Sequence, residues 1–204
     1  MRLLTAGSRS LLIELENLEQ VLGLHNSLRD QPEAGIVEMV PAAHTLLIVF
    51  DPAITTRKTL AQAVSSRKAT TARHAHQDAL EIPVVYDGPD LAETAQLTGL
   101  TTREVIQRHT EAAYTVAFGG FAPGFAYISG LDPLLHLPRR SVPRTQVPAG
   151  AVAIADRFTC IYPRQSPGGW NLIGHTPTVM WDLSRTPPAL LLPGRAVRFV
   201  QVSK

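Results

Sequence analysis

The fold of this chain is decided by Phe118–Pro177, which reads FGGFAPGFAYISGLDPLLHLPRRSVPRTQVPAGAVAIADRFTCIYPRQSPGGWNLIGHTP. Glycine, proline and arginine are concentrated here, and short apolar runs such as Ala151–Ala155 lie between them. That pattern is typical of a β-framework with closely specified loops, and loops on a rigid scaffold often carry function. Three loops stand out: GGFAPGFAY at 119–127, PRRSVPRTQVPAG at 138–150 and SPGGWNLIG at 166–174.

Composition narrows the class of protein. The chain has 204 residues, 45% of them hydrophobic, which suits one large domain or two small ones. A net charge of +2 without a Lys/Arg run gives no support for nucleic-acid binding. The single cysteine, Cys160, excludes an internal disulfide and argues against a cysteine-based zinc site. Because the sequence shows neither a signal-peptide pattern nor an apolar run near the ~20 residues of a membrane span, we expect a soluble cytoplasmic protein without membrane contact.

The first third of the chain predicts a small α+β domain. Asn17 and Thr55 or Thr56 are candidate helix caps, and each precedes a run with helical periodicity. The unbroken apolarity of Thr45–Phe50 predicts a strand buried on both faces. The order β-α-β-β-α, with one more strand, would give a ferredoxin-like arrangement. The predicted strands are Ser10–Glu16, Ile36–Val40 and Thr45–Phe50, and the predicted helices are 18–29 and 56–66.

A polar segment rich in small residues, Arg67–Asp78, predicts the domain boundary, with one domain at 1–78 and the other at 79–204. His74 and His76 lie in this segment. They read either as a metal-binding pair or as two solvated linker histidines, and the second interpretation is favoured because no further ligand lies near them in the sequence.

The second part of the chain predicts two short helices followed by many short strands. Frequent glycine and proline between short apolar runs indicate a barrel or a sandwich. The predicted helices are Asp90–Leu97 and Thr101–His109, and the predicted strands are Glu81–Tyr86, Tyr114–Phe118, Val152–Ala155, Thr159–Tyr162, Asn171–Gly174, Thr178–Asp182 and Val197–Val202.

The glycine-rich loop has two interpretations. Gly119, Gly120 and Gly124 around Pro123 would let backbone amides approach a ligand closely. Aromatic side chains would then supply an apolar wall with one hydroxyl. The alternative is a packed barrel corner that needs glycine for its shape. The aromatic residues are Phe121, Phe125 and Tyr127.

The arginine loop and the SPGGW turn also leave alternatives open. Arg139, Arg140 and Arg144 stand among prolines, which stiffen a loop and suit it to a carboxylate or a phosphate. They could equally be surface arginines paired with Asp132 or Asp156. In the turn, backbone amides, a hydroxyl and an indole could line a pocket, although a lone tryptophan is more often core. The residues of the turn are Ser166, Pro167, Gly168, Gly169 and Trp170.

No nucleophile–base motif is present in the sequence: neither a phosphate-binding P-loop, nor G-x-S-x-G, nor H-E-x-x-H occurs. His109, His175 and Asp132 are the candidate proton-transfer groups. Cys160 lies in an apolar run and reads as a buried filler. Composition and spacing therefore predict a two-part protein with a loop cluster suited to anions, without naming a reaction.

These loops carry a resemblance to a known family, that of the B subunit of 5-oxoprolinase, also called allophanate hydrolase subunit 1 or sporulation-kinase inhibitor, with carboxyltransferase subdomains C and D. The resemblance extends over essentially the whole chain. It rests on GGFAPGFAY, LDPLLHLPRRSVPRTQVPAGAV and IYPRQSPGGWNLIG, together with IPVVY from Ile82, HTEAAYTV at 109–116 and GHTP at 174–177.

The resemblance implies a small N-terminal α+β domain and a C-terminal cyclophilin-like β-barrel. It implies one component of an ATP-dependent 5-oxoprolinase, which opens the lactam 5-oxoproline to L-glutamate together with a homologous C subunit, in a B2C2-like heteromer, and a separate A subunit. ATP would be shared with the partner, the chain would carry no metal ligand set, and the isolated chain would be inactive. Inhibition of a sensor histidine kinase, or amide hydrolysis or carboxyl transfer in urea degradation, are the alternative functions.

Within this resemblance we assign catalytic roles to His109, Tyr127 and Arg144. Arginines would hold the anionic group, and loop amides would cradle an oxyanion or a phosphate. The sequence departs from the family pattern at Asp156–Cys160 and at His175, where arginine is common, and both changes bear on substrate identity. The predicted binding residues are Gly119, Gly120, Phe121, Pro123, Gly124, Phe125, Arg139, Arg140, Gln146, Ser166, Gly168, Gly169, Trp170 and His175.

Overall fold

The computed structural model describes residues 1–67 and 79–203. Its contacts divide the chain into two compact units, Met1–Ala75 and His76–Lys204. The predicted boundary between residues 78 and 79 falls at the edge of the segment outside the described residues and stays a prediction. The candidate pair His74 and His76 also lies outside the described residues.

The first unit is a four-stranded antiparallel sheet with two helices. The sheet order is β1-β2-β4-β3, so β4 lies between β2 and β3, as in the predicted ferredoxin-like order. The additional strand is β1, which pairs with β2 at the sheet edge. The elements are β1 Arg2–Thr5, β2 Ser10–Glu14, α1 Leu18–Asp30, β3 Ile36–Pro41, β4 Thr45–Phe50 and α2 Arg57–Ser66.

Local chemistry sets these elements. The Asn17 side chain accepts a hydrogen bond from the backbone N–H of Gln20, and Thr56 does the same for Thr59, so both predicted helix caps are confirmed. The expectation that β4 is buried on both faces is wrong. Alternate residues of β4 are buried and the others only half-buried, because the two helices cover one face of the sheet with side chains such as Leu24 and Leu60.

The second unit is a nearly closed barrel, so the predicted α+β class is confirmed. Its seven-stranded sheet has the order β12-β9-β10-β7-β6-β13-β5, and β8 and β11 form a separate two-stranded antiparallel sheet. The elements are β5 Leu80–Val84, α3 Leu91–Thr98, α4 Thr102–Glu111, β6 Tyr114–Gly119, β7 Ala126–Ser129, β8 Arg144–Val147, β9 Ala151–Ala155, β10 Phe158–Ile161, β11 Ser166–Gly168, β12 Asn171–His175 and β13 Ala196–Gln201.

The barrel closes along a seam made of residues 85–90 and β12. Val85 and His175 exchange two backbone hydrogen bonds of 2.9 Å. Further along, the N–H of Gly88 donates to Ile173 O at 3.2 Å, and the N–H of Asp90 donates to Leu172 O at 3.0 Å. Since β5 pairs in parallel with β13 on its other side, this segment joins the two ends of the sheet.

Apolar side chains from every wall fill the barrel. The core includes Ile82, Val116, Ile128, Ile154, Ile161, Ile173 and Phe199. Thr101 and Glu104 form the capping box that begins α4. Within the residues that the structure describes, no helix is long and apolar enough to cross a membrane.

Two parts of the strand prediction need correction. Thr178–Asp182 is not a strand: only Trp181 forms an isolated bridge, to Ala189, and Pro177, Pro187 and Pro188 interrupt further pairing. Conversely, β7, β8 and β11 lie inside stretches interpreted as loops. They are only three or four residues long and contain or adjoin glycine and proline, so they lack the alternation by which strands are recognised.

The seam gives the first testable prediction. A Cβ at Gly88 would lie 2.3 Å from Leu172 O and 2.4 Å from the carbonyl carbon of Ile173. Gly88→Ala must therefore push two backbones apart, and we expect it to lower the free energy of unfolding by about 3 kcal/mol. Urea unfolding followed by tryptophan fluorescence measures this loss, since both tryptophans lie in the second unit.

Gly119→Ala is the matched control. Its nearest neighbour to a new Cβ is Phe125 O at 3.7 Å, an ordinary contact, so its stability should stay within about 0.5 kcal/mol of the wild type. Equal stability of Gly88→Ala and the wild type would contradict the close approach at the seam.

Candidate functional site

The arginine loop lies against the segment Gly169–Asn171. The amide of Asn171 donates from Nδ2 to Pro138 O at 3.1 Å, and the N–H of Arg140 donates to Gly169 O at 2.7 Å. Both neighbours of Arg139 are thus tied to the neighbours of Trp170. The guanidinium carbon of Arg139 lies 6.0 Å from the Trp170 ring centroid, which is the geometry of a cation–π contact.

The other two arginines of the loop pair with Asp90. Arg144 donates to both carboxylate oxygens, from Nη2 to Oδ1 at 2.6 Å and from Nη1 to Oδ2 at 2.9 Å. Arg140 donates from Nη1 to Oδ1 at 2.9 Å and to Glu93 Oε2 at 2.5 Å. The hydrogen bond to Glu93 and the charge of Asp90 raise the pKa of Arg140. The guanidinium groups of Arg140 and Arg144 therefore converge on one carboxylate instead of extending separately into solvent.

The partner of this pair was not predicted. The sequence offered Asp132 or Asp156, but Asp132 pairs with Arg108 at 2.9 Å. Asp90 was predicted only as the first residue of the helix Asp90–Leu97. Its contacts to the arginines span 50 and 54 residues of sequence, and no local pattern reveals them.

Arg139 differs from its neighbours in its charge balance. Its side chain is exposed, and across residues 1–67 and 79–203 no carboxylate forms an ion pair with it. Asp90 and Glu93 balance the charges of Arg140 and Arg144, so Arg139 supplies the uncompensated positive charge of the loop.

Aromatic side chains pack against the ring of Trp170. Trp170 is only 5% exposed, and it meets Phe125 and Tyr127 edge-on at centroid distances of 5.9 Å and 5.6 Å. Tyr127 is half-buried and also stacks on Phe118. Trp170 is thus a core residue, as the alternative interpretation proposed, and its face also carries Arg139. These aromatic contacts hold the Trp170 ring in place, and the guanidinium of Arg139 lies over that ring.

The predicted glycines have identifiable steric roles. A Cβ at Gly168 would lie 2.2 Å from the Tyr162 hydroxyl oxygen, and a Cβ at Gly124, whose φ is +80°, would lie 2.8 Å from Cβ of Trp181. The N–H of Gly120 donates to Phe125 O within the turn itself. These contacts favour the barrel-corner interpretation for Gly120 and Gly124, whereas the oxyanion cradle stays a prediction.

The remaining loop residues lie at the surface of the second unit. Phe121 adopts a left-handed φ of +64° and its side chain is 61% exposed. The Ser166 hydroxyl donates to Arg164 O at 3.4 Å. Pro123 and Gln146 are exposed, and Gly169 and Gly119 border the arginine loop and β7 respectively.

His109, a predicted catalytic residue, lies in the barrel interior with 0% exposure. Its Nδ1 is 2.7 Å from the Tyr86 hydroxyl and its Nε2 is 3.0 Å from Thr159 Oγ1. Because the Thr159 hydroxyl donates to Ala153 O at 3.1 Å, Thr159 must accept from His109 Nε2–H. His109 Nδ1 then accepts from Tyr86, which fixes the tautomer.

Burial sets the charge of this histidine. Desolvation lowers the pKa of His109 from 6.5 to about 3 and raises the pKa of Tyr86. His109 is therefore neutral, both of its ring nitrogens have partners, and it has no access to solvent. This arrangement links β10 to α4 and suits a structural role better than proton transfer to a substrate at the arginine loop.

His175 lies at the barrel seam with an exposed ring. Its Nδ1 is 2.7 Å from Asp87 Oδ1, and its backbone pairs with Val85. It lies at the end of β12 remote from Trp170. The structure thus brings Arg139, Arg140, Arg144, Gly169 and Trp170 together and places His109 and His175 elsewhere.

A cavity of about 540 Å³ borders the arginine loop at Pro138 and is lined also by His136, Leu137, Asp156 and Arg157. A groove of about 410 Å³ runs between α4 and Gly130–Pro133, and none of the predicted binding residues lines it. In the described part of the chain, no group of three histidine, cysteine, aspartate or glutamate residues could hold a metal ion.

Comparison with known proteins defines the class. Residues 1–191 match the model of the protein family described as "carboxyltransferase domain, subdomain C and D", and the chain belongs to this family. It is 37% identical to the B subunit of 5-oxoprolinase from Bacillus subtilis, over 91% of this chain and 85% of that protein. It is 40% identical to the B subunit of 5-oxoprolinase from Haemophilus influenzae, over 83% of this chain and 81% of that protein. The resemblance inferred from the loops is confirmed.

A solved structure shares the fold. The crystal structure of TTHA0988 superimposes with a TM-score of 0.80 and 36% sequence identity. The alignment covers 96% of this chain but only 41% of that one, so this chain spans less than half the length of TTHA0988.

The buried histidine gives the second prediction. Since the folded protein keeps His109 neutral while the unfolded chain protonates it below about pH 6.5, the unfolded state gains protons as the pH falls. We expect the free energy of unfolding to drop by about 2 kcal/mol from this group between pH 7.5 and pH 5. Urea unfolding at several pH values measures the slope.

His109→Gln should remove this part of the pH dependence even if it lowers stability at every pH. His136→Gln, at the surface of the same unit, is the matched histidine substitution against which the slope of His109→Gln is compared. A wild-type slope retained in His109→Gln would show that His109 titrates normally in the folded protein.

Proposed function

We propose that this chain is the B subunit of an ATP-dependent 5-oxoprolinase. It would act with the C and A subunits of that enzyme to open 5-oxoproline to L-glutamate. The similarity to two proteins named as 5-oxoprolinase B subunits, over most of both lengths, supports this function. The proposal includes a cytoplasmic heteromer of the B2C2 kind, ATP as a co-substrate shared with the partner, and no turnover by the isolated chain.

One observation carries the chemical part of the proposal, namely the uncompensated guanidinium of Arg139 on the face of Trp170. 5-Oxoproline carries a carboxylate, and the ATP that is used to open the lactam brings phosphate groups to the site. A fixed guanidinium binds either anion with two parallel hydrogen bonds. Because both neighbours of Arg139 are tied to Gly169 and Asn171, little backbone entropy is lost on binding.

The roles of the other predicted residues follow from their contacts. Arg140 and Arg144 use their donors on Asp90 and Glu93, so we assign them to holding the loop rather than to the substrate. Arg144→Ala would leave a buried carboxylate with one guanidinium partner and should destabilise the loop, instead of acting as a simple catalytic deletion. Tyr127 is half-buried, and its ring meets the Trp170 ring edge-on. It would therefore act indirectly, by holding the Trp170 ring in place.

The remaining site assignments stay part of the proposal. The amides near Phe121, Pro123 and Gly124, and those of the turn from Ser166 to Gly169, would face the partner protein or the phosphate groups. His175, with Asp87 on its Nδ1, has an exposed ring and is a better candidate for proton transfer than the buried His109.

The third prediction tests this function by reconstitution with the C and A subunits from the same source. The complex should form glutamate from 5-oxoproline only when ATP is present, and the isolated chain should form none. In the complex, Arg139→Gln should raise KM for 5-oxoproline roughly 10- to 100-fold, since a hydrogen bond to a charged group contributes about 1.5–3 kcal/mol.

Arg103→Gln is the matched control, because Arg103 is an exposed arginine of α4 outside the arginine loop, and its kinetics should equal those of the wild type. A wild-type complex without ATP-dependent glutamate formation would reject the function. A normal KM in Arg139→Gln would reject only the role of Arg139.

A further inference from the structure

Asp90 is unusual for an aspartate at the start of a helix. It is the residue before α3, a position at which aspartate normally caps the first turn, but its side chain makes no capping hydrogen bond. Its carboxylate turns instead to the arginine loop and to the backbone N–H of Leu172, which donates to Oδ2 at 2.7 Å. The side chain therefore serves contacts outside its own helix.

The burial of Asp90 makes these contacts obligatory. Its side chain is only 3% exposed, and a buried carboxylate without partners is strongly unfavourable. Four hydrogen bonds satisfy it: one from Arg140, two from Arg144 and one from Leu172. The network holds together a helix start, a barrel strand and the arginine loop at one point.

The same network controls where Arg139 lies. Arg140 and Arg144 both donate to Oδ1 of Asp90, so residues 140–144 are closed into a fixed arc. Without the carboxylate, two guanidinium groups would face each other and repel. Arg139 immediately precedes this arc, and its position over Trp170 depends on the backbone bond from Arg140 to Gly169 at the start of the arc.

We propose that Asp90 is a positioning residue: through Arg140 and Arg144 it fixes the guanidinium of Arg139 over Trp170, ready for the anionic group of the substrate. The substrate part of this inference rests on the proposed function. The geometric part stands on the contacts of Asp90 alone and is tested without substrate.

The fourth prediction uses the indole Nε1–H resonance of Trp170 in the full chain, assigned with the help of Trp181→Phe. A cation over the ring shifts this resonance, so Arg139→Gln should move it. Asp90→Asn should move it in the same direction by at least half as much. Asp132→Asn removes the carboxylate of another aspartate–arginine pair of the same unit, and it should leave the resonance at its wild-type position.

A double variant decides whether Asp90 acts through Arg139. In the Arg139→Gln background, Asp90→Asn should add no further shift, because the cation that it positions is already gone. A full additional shift in the double variant, or no shift in Asp90→Asn alone, would overturn the inference. If Asp90→Asn does not fold, Arg144→Lys keeps the charge and loses the two-point contact, and its Trp170 resonance should also move towards that of Arg139→Gln.

Kinetics of the reconstituted complex give the second readout. Asp90→Asn should raise KM for 5-oxoproline about tenfold while kcat changes less than about twofold, because binding rather than chemistry is loosened. In the Arg139→Gln background it should change neither constant. An inactive wild-type complex would reject the proposed function and leave the Trp170 test intact, whereas an active complex with unchanged KM in Asp90→Asn would reject the positioning role.

Discussion

The buried carboxylate of Asp90 is the interaction on which the candidate site depends. It receives donors from Arg140, Arg144 and Leu172, and these residues belong to the arginine loop, to β8 and to β12. A salt bridge at the surface contributes little to stability, but one that is this deeply buried constrains geometry, because each partner must stay in place to keep the charge satisfied. These contacts constrain the conformation of the loop, and its prolines restrict the backbone further.

Much of the fold was readable from local signals. Asn17, Thr56 and Thr101 cap helices because their side-chain oxygens satisfy free backbone N–H groups, a chemistry confined to neighbouring residues. β9 is continuously apolar and buried at every residue, as expected of a strand that is covered on both faces. The same rule failed for β4, since a run of apolar residues does not reveal which face a helix will cover.

The arrangement of the candidate site was harder to predict from the sequence than the fold was. The arginines and Trp170 were identified as candidates, but neither the partner of Arg144 nor the burial of His109 could be inferred. Both depend on contacts between residues distant in sequence, Arg144 with Asp90 and His109 with Thr159. A buried histidine and a catalytic one look alike in sequence, because the difference lies in desolvation, which is a property of the assembled barrel.

The parallel pairing of β5 with β13 has a consequence for biosynthesis. Glu81 and its cross-strand partner Arg198 are 117 residues apart, and β13 is also the strand that connects β5 to the remainder of the sheet. During translation, β5 leaves the ribosome long before β13 exists. Contacts of such sequence separation form slowly, so the nascent barrel must wait, with its apolar walls exposed, until nearly all of its strands have been made. Chaperone protection during this interval would benefit the second unit more than the first, whose strands pair over shorter distances.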